Sequence, residues 1–288
     1  MNITSRQLSD YERDGYLFLP EYFTPREVEF MTDELPVVFS EDSPRRVLEE
    51  DGKVVRSVYG SHMTNSVFYN LTRHPKLVRP IEQILGGEIY VYQFKINAKL
   101  ALKGDIWAWH QDFIFWLCED GMQTPHVLNA FIFLADVTEF NGPLFLVPGS
   151  HHEGAIEAAT DDEVPDAYAG NPAWISNLTA KLKYTVDQPT LSRLVSKYGI
   201  TAPKGPRGSV LFFHPNIVHA SSPNLSPYDR PIAIVTYNSV KNAPPPMENP
   251  RPDFLASRDC RPVVPFADEA MFFDSTWMPG LELESSLV

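Results

Sequence analysis

Ile89-Tyr90-Val91-Tyr92-Gln93-Phe94-Lys95-Ile96-Asn97 is the stretch that decides the fold class. β-Branched and aromatic side chains dominate it, and polar ones return at every second place from Gln93. That pattern predicts a pleated strand, ending near Gly104. The chain before it reads as helical. Thr24-Pro25-Arg26-Glu27 combines an N-cap hydroxyl, a proline at the first helical position and a glutamate at the third, a capping box that predicts a helix through about Phe39. A second helix is predicted over 75–85, closed by Gly86-Gly87.

Beyond Asn97, strand-like runs recur at 107–115, 127–134, 144–147, 209–213 and 232–238. Turn chemistry such as Asn141-Gly142-Pro143 and Pro206-Arg207-Gly208 separates them, which predicts an antiparallel sandwich or barrel, mainly β with flanking helices. Residues 153–205 interrupt the pattern, carry a predicted helix over 189–198, and read as an insertion over one mouth of the barrel. No repeat, low-complexity linker or charge block marks a second domain. We therefore expect 1–288 to form one domain, with a helical flank over 1–87, a β core over 88–240 and a tail over 241–288.

Apolar residues at 43% and charged residues at 21% are ordinary values for a folded globular chain. The net charge of −13, with an isoelectric point near 5.0, argues against nucleic acid or an anionic membrane as a partner and points to a small molecule. The first residues, MNITSRQLSDYERDGY, are charged and lack the apolar centre of a signal segment. No apolar run approaches the roughly 18 residues of a membrane span, so a cytoplasmic protein is expected. Cys118 and Cys260 are too few for a disulfide framework and are expected to be idle thiols.

Trp109-His110-Gln111-Asp112 places an imidazole and a carboxylate at i and i+2, on one face if the segment is a strand, where both can chelate a metal. His-x-Asp alone is more often a core histidine beside a surface aspartate. Support comes from the second β region, where the strand Gly208 to Phe213 runs into His214-Pro215-Asn216-Ile217-Val218-His219. Two histidines and a carboxylate form the facial triad of iron(II) oxygenases, leaving three positions for a co-substrate and dioxygen. His214 competes with His219 for the third place. His219 is preferred because Pro215 restricts His214 at a turn and because Arg230 follows His219 by eleven residues. Arg230 suits the distal carboxylate of 2-oxoglutarate, which an arginine binds bidentately. Phe113, Phe115 and Trp116 can wall a substrate pocket, and Lys95 and Arg56 are available for a substrate carboxylate. His62, His74, His126 and His151-His152 lack ligand-like spacing.

With Asn141-Gly142-Pro143-Leu144 and Val147-Pro148-Gly149-Ser150-His151 added, these motifs resemble, in order and spacing, the phytanoyl-CoA dioxygenase superfamily. The resemblance runs from about Tyr11 to Pro265 and includes Leu48-Glu49-Glu50-Asp51-Gly52, Gln93 to Lys99, Glu119-Asp120-Gly121-Met122 and Val235-Thr236-Tyr237-Asn238. It implies a double-stranded β-helix, the cupin-like jelly roll, with Fe(II), 2-oxoglutarate and O2 as the reacting set. Family halogenases carry a small residue where this chain has Asp112, so hydroxylation is implied. The likeness is nearest to the proline-hydroxylase branch and more distant to ectoine hydroxylases. It implies a free cyclic amino acid as substrate, L-proline before L-pipecolate. Ectoine, another amino acid or a carrier-tethered residue are the alternatives. A non-catalytic cupin-like binding barrel is disfavoured by the intact triad and Arg230. Likeness to the ectoine hydroxylases also assigns Gln93, Asn97 and Asn129 to the 2-oxoglutarate side of the pocket and Trp116, with Phe115, to the substrate side.

Overall fold

The computed structural model describes residues 2–160, 168, 170 and 172–273. Its strands are β1 (Tyr16–Leu19), β2 (Arg46–Leu48), β3 (Val55–Tyr59), β4 (Ile89–Asn97), β5 (Trp107–His110), β6 (Val127–Phe133), β7 (Leu144–Leu146), β8 (Ala159–Thr160), β9 (Tyr184–Thr185), β10 (Val210–Phe213), β11 (His219–Ser221) and β12 (Ile232–Ser239). Seven of them form one antiparallel sheet in the order β1-β10-β6-β12-β4-β3-β2, and β5, β11 and β7 form a smaller one. Four of the six neighbouring pairs, β1/β10, β10/β6, β6/β12 and β12/β4, are remote in sequence, which is the winding of a jelly roll rather than a meander.

The larger sheet is buried on both faces, and its alternation sorts side chains between two cores. Phe94, Ile96, Leu128, Ala130, Ile132, Ala233 and Val235 pack outward, in one apolar cluster with Phe68 and Leu71 of α4 (Ser66–Thr72) and Leu77, Val78 and Ile81 of α5 (Pro75–Leu85). Phe131, Phe133, Ile232 and Ile234 point inward and meet Leu211, Phe213, Leu144 and Leu146. Every residue of β6 is buried, as a strand covered on both sides requires. Each such side chain contributes about 1.5–3 kcal/mol on burial. Apolar area therefore fixes the register, and the register carries Gln93, Lys95 and Asn97 into the interior opposite Thr236, Ile234 and Ile232.

Two sequence expectations fail locally. The helix opened by Thr24 has its capping box, but α2 (Pro25–Thr32) stops and α3 (Leu35–Ser40) starts afresh. Pro36 has no N–H for the Thr32 carbonyl and sits instead in the first turn of α3, where a helix tolerates proline. The predicted strand over 107–115 ends at His110. Gln111 is still extended, and α6 (Asp112–Asp120) begins immediately after it. Phe113, Ile114, Phe115 and Trp116 of this helix are all buried. Asp112 in the first turn and Gly121 at φ 71° are the helix punctuation of that segment.

The insertion carries the pair β8–β9 and α7 (Gln188–Tyr198). Bridges Leu146↔Thr201 and Val137↔Gly205 return its end to the barrel. No helix among the described residues is long and apolar enough to cross a membrane.

Candidate active site

His110 and His219 face each other in register across β5 and β11, with ring centroids 4.1 Å apart. Asp112 swings in from the first turn of α6, its oxygens 3.4 Å from His110 Nε2 and 3.8 Å from His219 Nε2. One donor atom from each residue lies within 4.8 Å of the others, and all three residues are buried. The same-face convergence expected of a continuous strand is thus achieved across a strand-to-helix junction.

The surroundings prepare these atoms to hold a cation. His110 Nδ1 lies 2.6 Å from Ala108 O and His219 Nδ1 lies 3.0 Å from Ile217 O. Each carbonyl takes the Nδ1 proton and leaves the Nε2 lone pair free for the centre. Burial and the neighbouring His110 push His219 down to about 4, so it stays neutral. Burial opposes ionisation of Asp112, but His219, Lys95 and His110 outweigh it and hold the carboxyl well below the usual carboxylate range. Asn129 Nδ2 donates to Asp112 Oδ2 at 2.7 Å, and Thr236 Oγ1 donates to Asn129 Oδ1 at 2.7 Å, which fixes the carboxylate plane.

The triad opens into a cleft that is also lined by Gln93, Lys95, Asn97, Phe115, Trp116 and Arg230. Arg230 is 4% exposed, and among the described residues its side chain donates one hydrogen bond, from Nε to Asn141 O at 3.2 Å. No carboxylate pairs with it among the described residues, and burial pushes its guanidinium down to about 9. A buried arginine without an anion fits a ligand that brings one.

A sequence model of the phytanoyl-CoA dioxygenase (PhyH) family matches residues 11–232. The chain belongs to this family. It is 43% identical over 255 residues to an L-proline trans-4-hydroxylase of Streptomyces griseoviridis, covering 88% of this chain and 93% of that one. It is 35% identical over 273 residues to an ectoine dioxygenase of Bordetella parapertussis, covering 91% and 85%. Among solved structures, EctD from S. alaskensis with 2-oxoglutarate and 5-hydroxyectoine aligns with a TM-score of 0.74 at 31% identity over 89% of this chain and 84% of that one. The same protein with bound Fe aligns at 0.75 and 30%, over 91% of this chain and 86% of that one.

This dioxygenase departs from expectation at two residues. Arg56 does not line the cleft and has no room for a substrate carboxylate. It donates to Glu49 Oε2 at 2.9 Å and to the carbonyls of Leu178, Ile106 and Thr179 at 2.9, 2.8 and 3.2 Å, and it stacks 3.8 Å over Trp107. Asn129 stands behind Asp112 rather than in the cleft, its amide spent on Asp112 and Thr236. The competing His214 packs against His151, with centroids 5.1 Å apart, away from the lining.

Sequence reasoning did not single out Tyr59, Trp107, Asn177, Leu178, Leu182, Ser221 and Arg251, which also line the cleft. Ser221 could have been found, because it shares the face of His219 two residues on. Its hydroxyl accepts from Lys99 Nζ at 2.9 Å. Arg251 has no local signature. It arrives from the C-terminal segment and is held by Asp120, with Nε to Oδ1 at 2.8 Å.

Proposed function

We propose that this dioxygenase hydroxylates a small free amino acid, L-proline first and L-pipecolate second, using Fe(II), 2-oxoglutarate and dioxygen. The observation that carries this is a buried His-Asp-His set and a buried arginine without a counter-ion in one cleft. His110, Asp112 and His219 would hold the iron, which together with 2-oxoglutarate supplies the oxidising power to replace a C–H hydrogen by hydroxyl, with succinate and carbon dioxide as co-products.

The chain's own groups do the rest. Arg230 binds the distal carboxylate of 2-oxoglutarate, assisted by the polar wall of Gln93 and Asn97. Ala108 O and Ile217 O keep the two imidazoles in the tautomer that can coordinate. Trp107, Phe115, Trp116 and Leu182 keep water from the reacting carbon and supply apolar walls for ring methylenes. Of the remaining cations of the lining Arg251 is paired with Asp120, and Lys95 suits the carboxylate of a zwitterion. The described residues act as one catalytic domain, with the described part of the insertion over its mouth; 161–167 and the tail beyond 273 lie outside the described residues.

Greater identity to the proline hydroxylase than to the ectoine dioxygenases favours an imino acid over ectoine. Proline and pipecolate differ by one methylene, worth only about 1–3 kcal/mol in an apolar pocket. The test is succinate release with L-proline, L-pipecolate and ectoine, with and without oxygen, and mass spectrometry of the products. Oxygen-dependent succinate and a product heavier by one oxygen are expected with L-proline. Stimulation by ectoine alone would move the substrate to the second reading and leave the oxygenase class standing.

A further inference from the structure

Asn177 comes from the insertion, on the short turn Ala173–Leu178, and lines the cleft shared by the triad and Arg230. It is 4% exposed, and its Oδ1 is buried with no hydrogen-bond partner. Leaving a buried acceptor unpaired costs about 1–3 kcal/mol, and folded proteins seldom tolerate it without a reason.

The backbone under Asn177 is not free to relax toward water. The carbonyls of the next two residues, Leu178 and Thr179, both accept from the Arg56 guanidinium. That guanidinium is itself anchored to Glu49 and stacked on Trp107. Arg56, a residue of β3, therefore pins the insertion to the barrel wall and fixes the place of the Asn177 amide.

What the cleft lacks is a donor for this acceptor. Lys95, Arg230 and Arg251 provide for carboxylates, and Asp112 belongs to the metal set. An amino-acid zwitterion also brings a cationic N–H, which must give up its water on entering and needs an oxygen in return. Asn97 Oδ1 is the other unpaired acceptor of the lining. Asn97 stands in register with Ile232, two residues beyond Arg230, and so serves the co-substrate end.

We infer that Asn177 is a specificity-determining residue that accepts a hydrogen bond from the cationic N–H of the substrate, and that Arg56 is the positioning residue that holds it there. This rests on the amino-acid reading given above. A site built around such a bond rejects an analogue in which the N–H is missing.

The test compares L-proline with its ring-oxygen analogue, (S)-tetrahydrofuran-2-carboxylate, in the iron- and 2-oxoglutarate-loaded enzyme. The KM of L-proline and the competitive Ki of the analogue are read from succinate release. The unaltered enzyme is expected to prefer L-proline by more than about tenfold, the equivalent of one such hydrogen bond. Asn177→Leu should bring the two within about threefold while the KM for 2-oxoglutarate and the Tm stay put. Asn177→Asp, which keeps an acceptor and adds charge, should retain or widen the preference, and it serves as the decisive variant if Asn177→Leu does not fold. Arg56→Lys should narrow the preference with an unchanged 2-oxoglutarate KM, whereas a merely structural role would move both together. An unaltered preference in Asn177→Leu, or a lost one in Asn177→Asp, overturns the inference while leaving proline as substrate. Absence of any proline-dependent succinate from the unaltered enzyme removes the substrate reading, and this inference with it.

Discussion

Two clusters of imidazole and carboxylate among the described residues come within metal-binding distance, and they behave oppositely. Around Glu27, His74 and Glu269 the cation is already supplied. Lys76 Nζ lies 2.9 and 2.8 Å from the two Glu27 oxygens, and His74 Nε2 is 3.1 Å from Oε1. The Thr24 N–H and hydroxyl complete the shell at 2.6 and 2.8 Å. Around His110, Asp112 and His219 no lysine or arginine nitrogen comes within ion-pair distance among the described residues. Two of the buried arginines, Arg56 and Arg230, divide in the same way. Arg56 makes four hydrogen bonds and a stacking contact, while Arg230 keeps one bond to a carbonyl. Polar groups that the fold satisfies hold the fold together, and those it leaves open in a cleft wait for a ligand.

The sharpest way to break this comparison is to remove a carboxylate from each cluster. Asp112→Ala should reduce turnover by more than about 10³-fold, because a two-ligand site no longer holds the metal in a fixed geometry, and the fold should survive. Glu27→Gln should leave one iron per chain in a titration while lowering stability by about 3–5 kcal/mol, since Lys76 is left as an uncompensated buried charge. Iron binding that survives Asp112→Ala but fails in Glu27→Gln would reverse the assignment of the clusters.

The arginines give a smaller and equally opposed pair. Arg230→Met should raise the KM for 2-oxoglutarate by about 30- to 100-fold, the worth of a charge-assisted hydrogen-bond pair, with little change in Tm. Arg56→Met should do the reverse to first order: a loss of about 3–5 kcal/mol in urea unfolding, because Glu49 stays buried without its partner, and an unchanged 2-oxoglutarate KM. Equal effects of both substitutions on the 2-oxoglutarate KM would show that Arg56 also serves the co-substrate.

The same contrast explains what could be read from the chain. Gln93, Lys95 and Asn97 were legible because strand alternation is local, and Arg230 because it stands just before the strand that follows His219. The facial set survived an error in secondary structure. Asp112 begins a helix rather than extending a strand, yet its distance from His110 along the chain is short enough that both still reach one point. Pro36 is the local signal for the break between α2 and α3, which a reading from the capping box alone passes over. Nothing local could show that Arg56 is saturated, since its partners at 106, 178 and 179 are brought to it only by the closed barrel and the insertion. For the same reason Asn177 and Arg251 were invisible.

A further step down in magnitude concerns Asn129, which does not line the cleft itself but fixes Asp112. Asn129→Leu removes that donor from a buried carboxylate, and outer-shell losses of this kind cost about 10- to 100-fold in metal affinity. Iron affinity should fall by that factor with the 2-oxoglutarate KM nearly unchanged at saturating iron. A selective rise in the 2-oxoglutarate KM instead would return Asn129 to the co-substrate.

The smallest expected effect lies in how the satisfied cluster responds to acid. Burial opposes ionisation of Glu27, but hydrogen bonds from His74, Lys76 and Thr24 outweigh it and bring the carboxyl from 4.5 down to about 2. A carboxylate depressed on folding contributes stability that is fully present above its unfolded value and disappears as pH falls through its folded value. The window therefore runs from about pH 5 down to about pH 2, and at neutral pH the contribution is complete. Between pH 7 and pH 3 the native protein should lose about 1–2 kcal/mol from this group alone. Glu27→Gln cannot titrate there, while every other acid is common to both proteins and cancels in the difference. Urea unfolding of the pair at the two pH values should show the stability gap shrinking by that amount on acidification. A gap of the same size at pH 7 and pH 3 would mean that Glu27 is not held ionised by Lys76, and the contrast between a filled cluster and an open one would lose its physical basis.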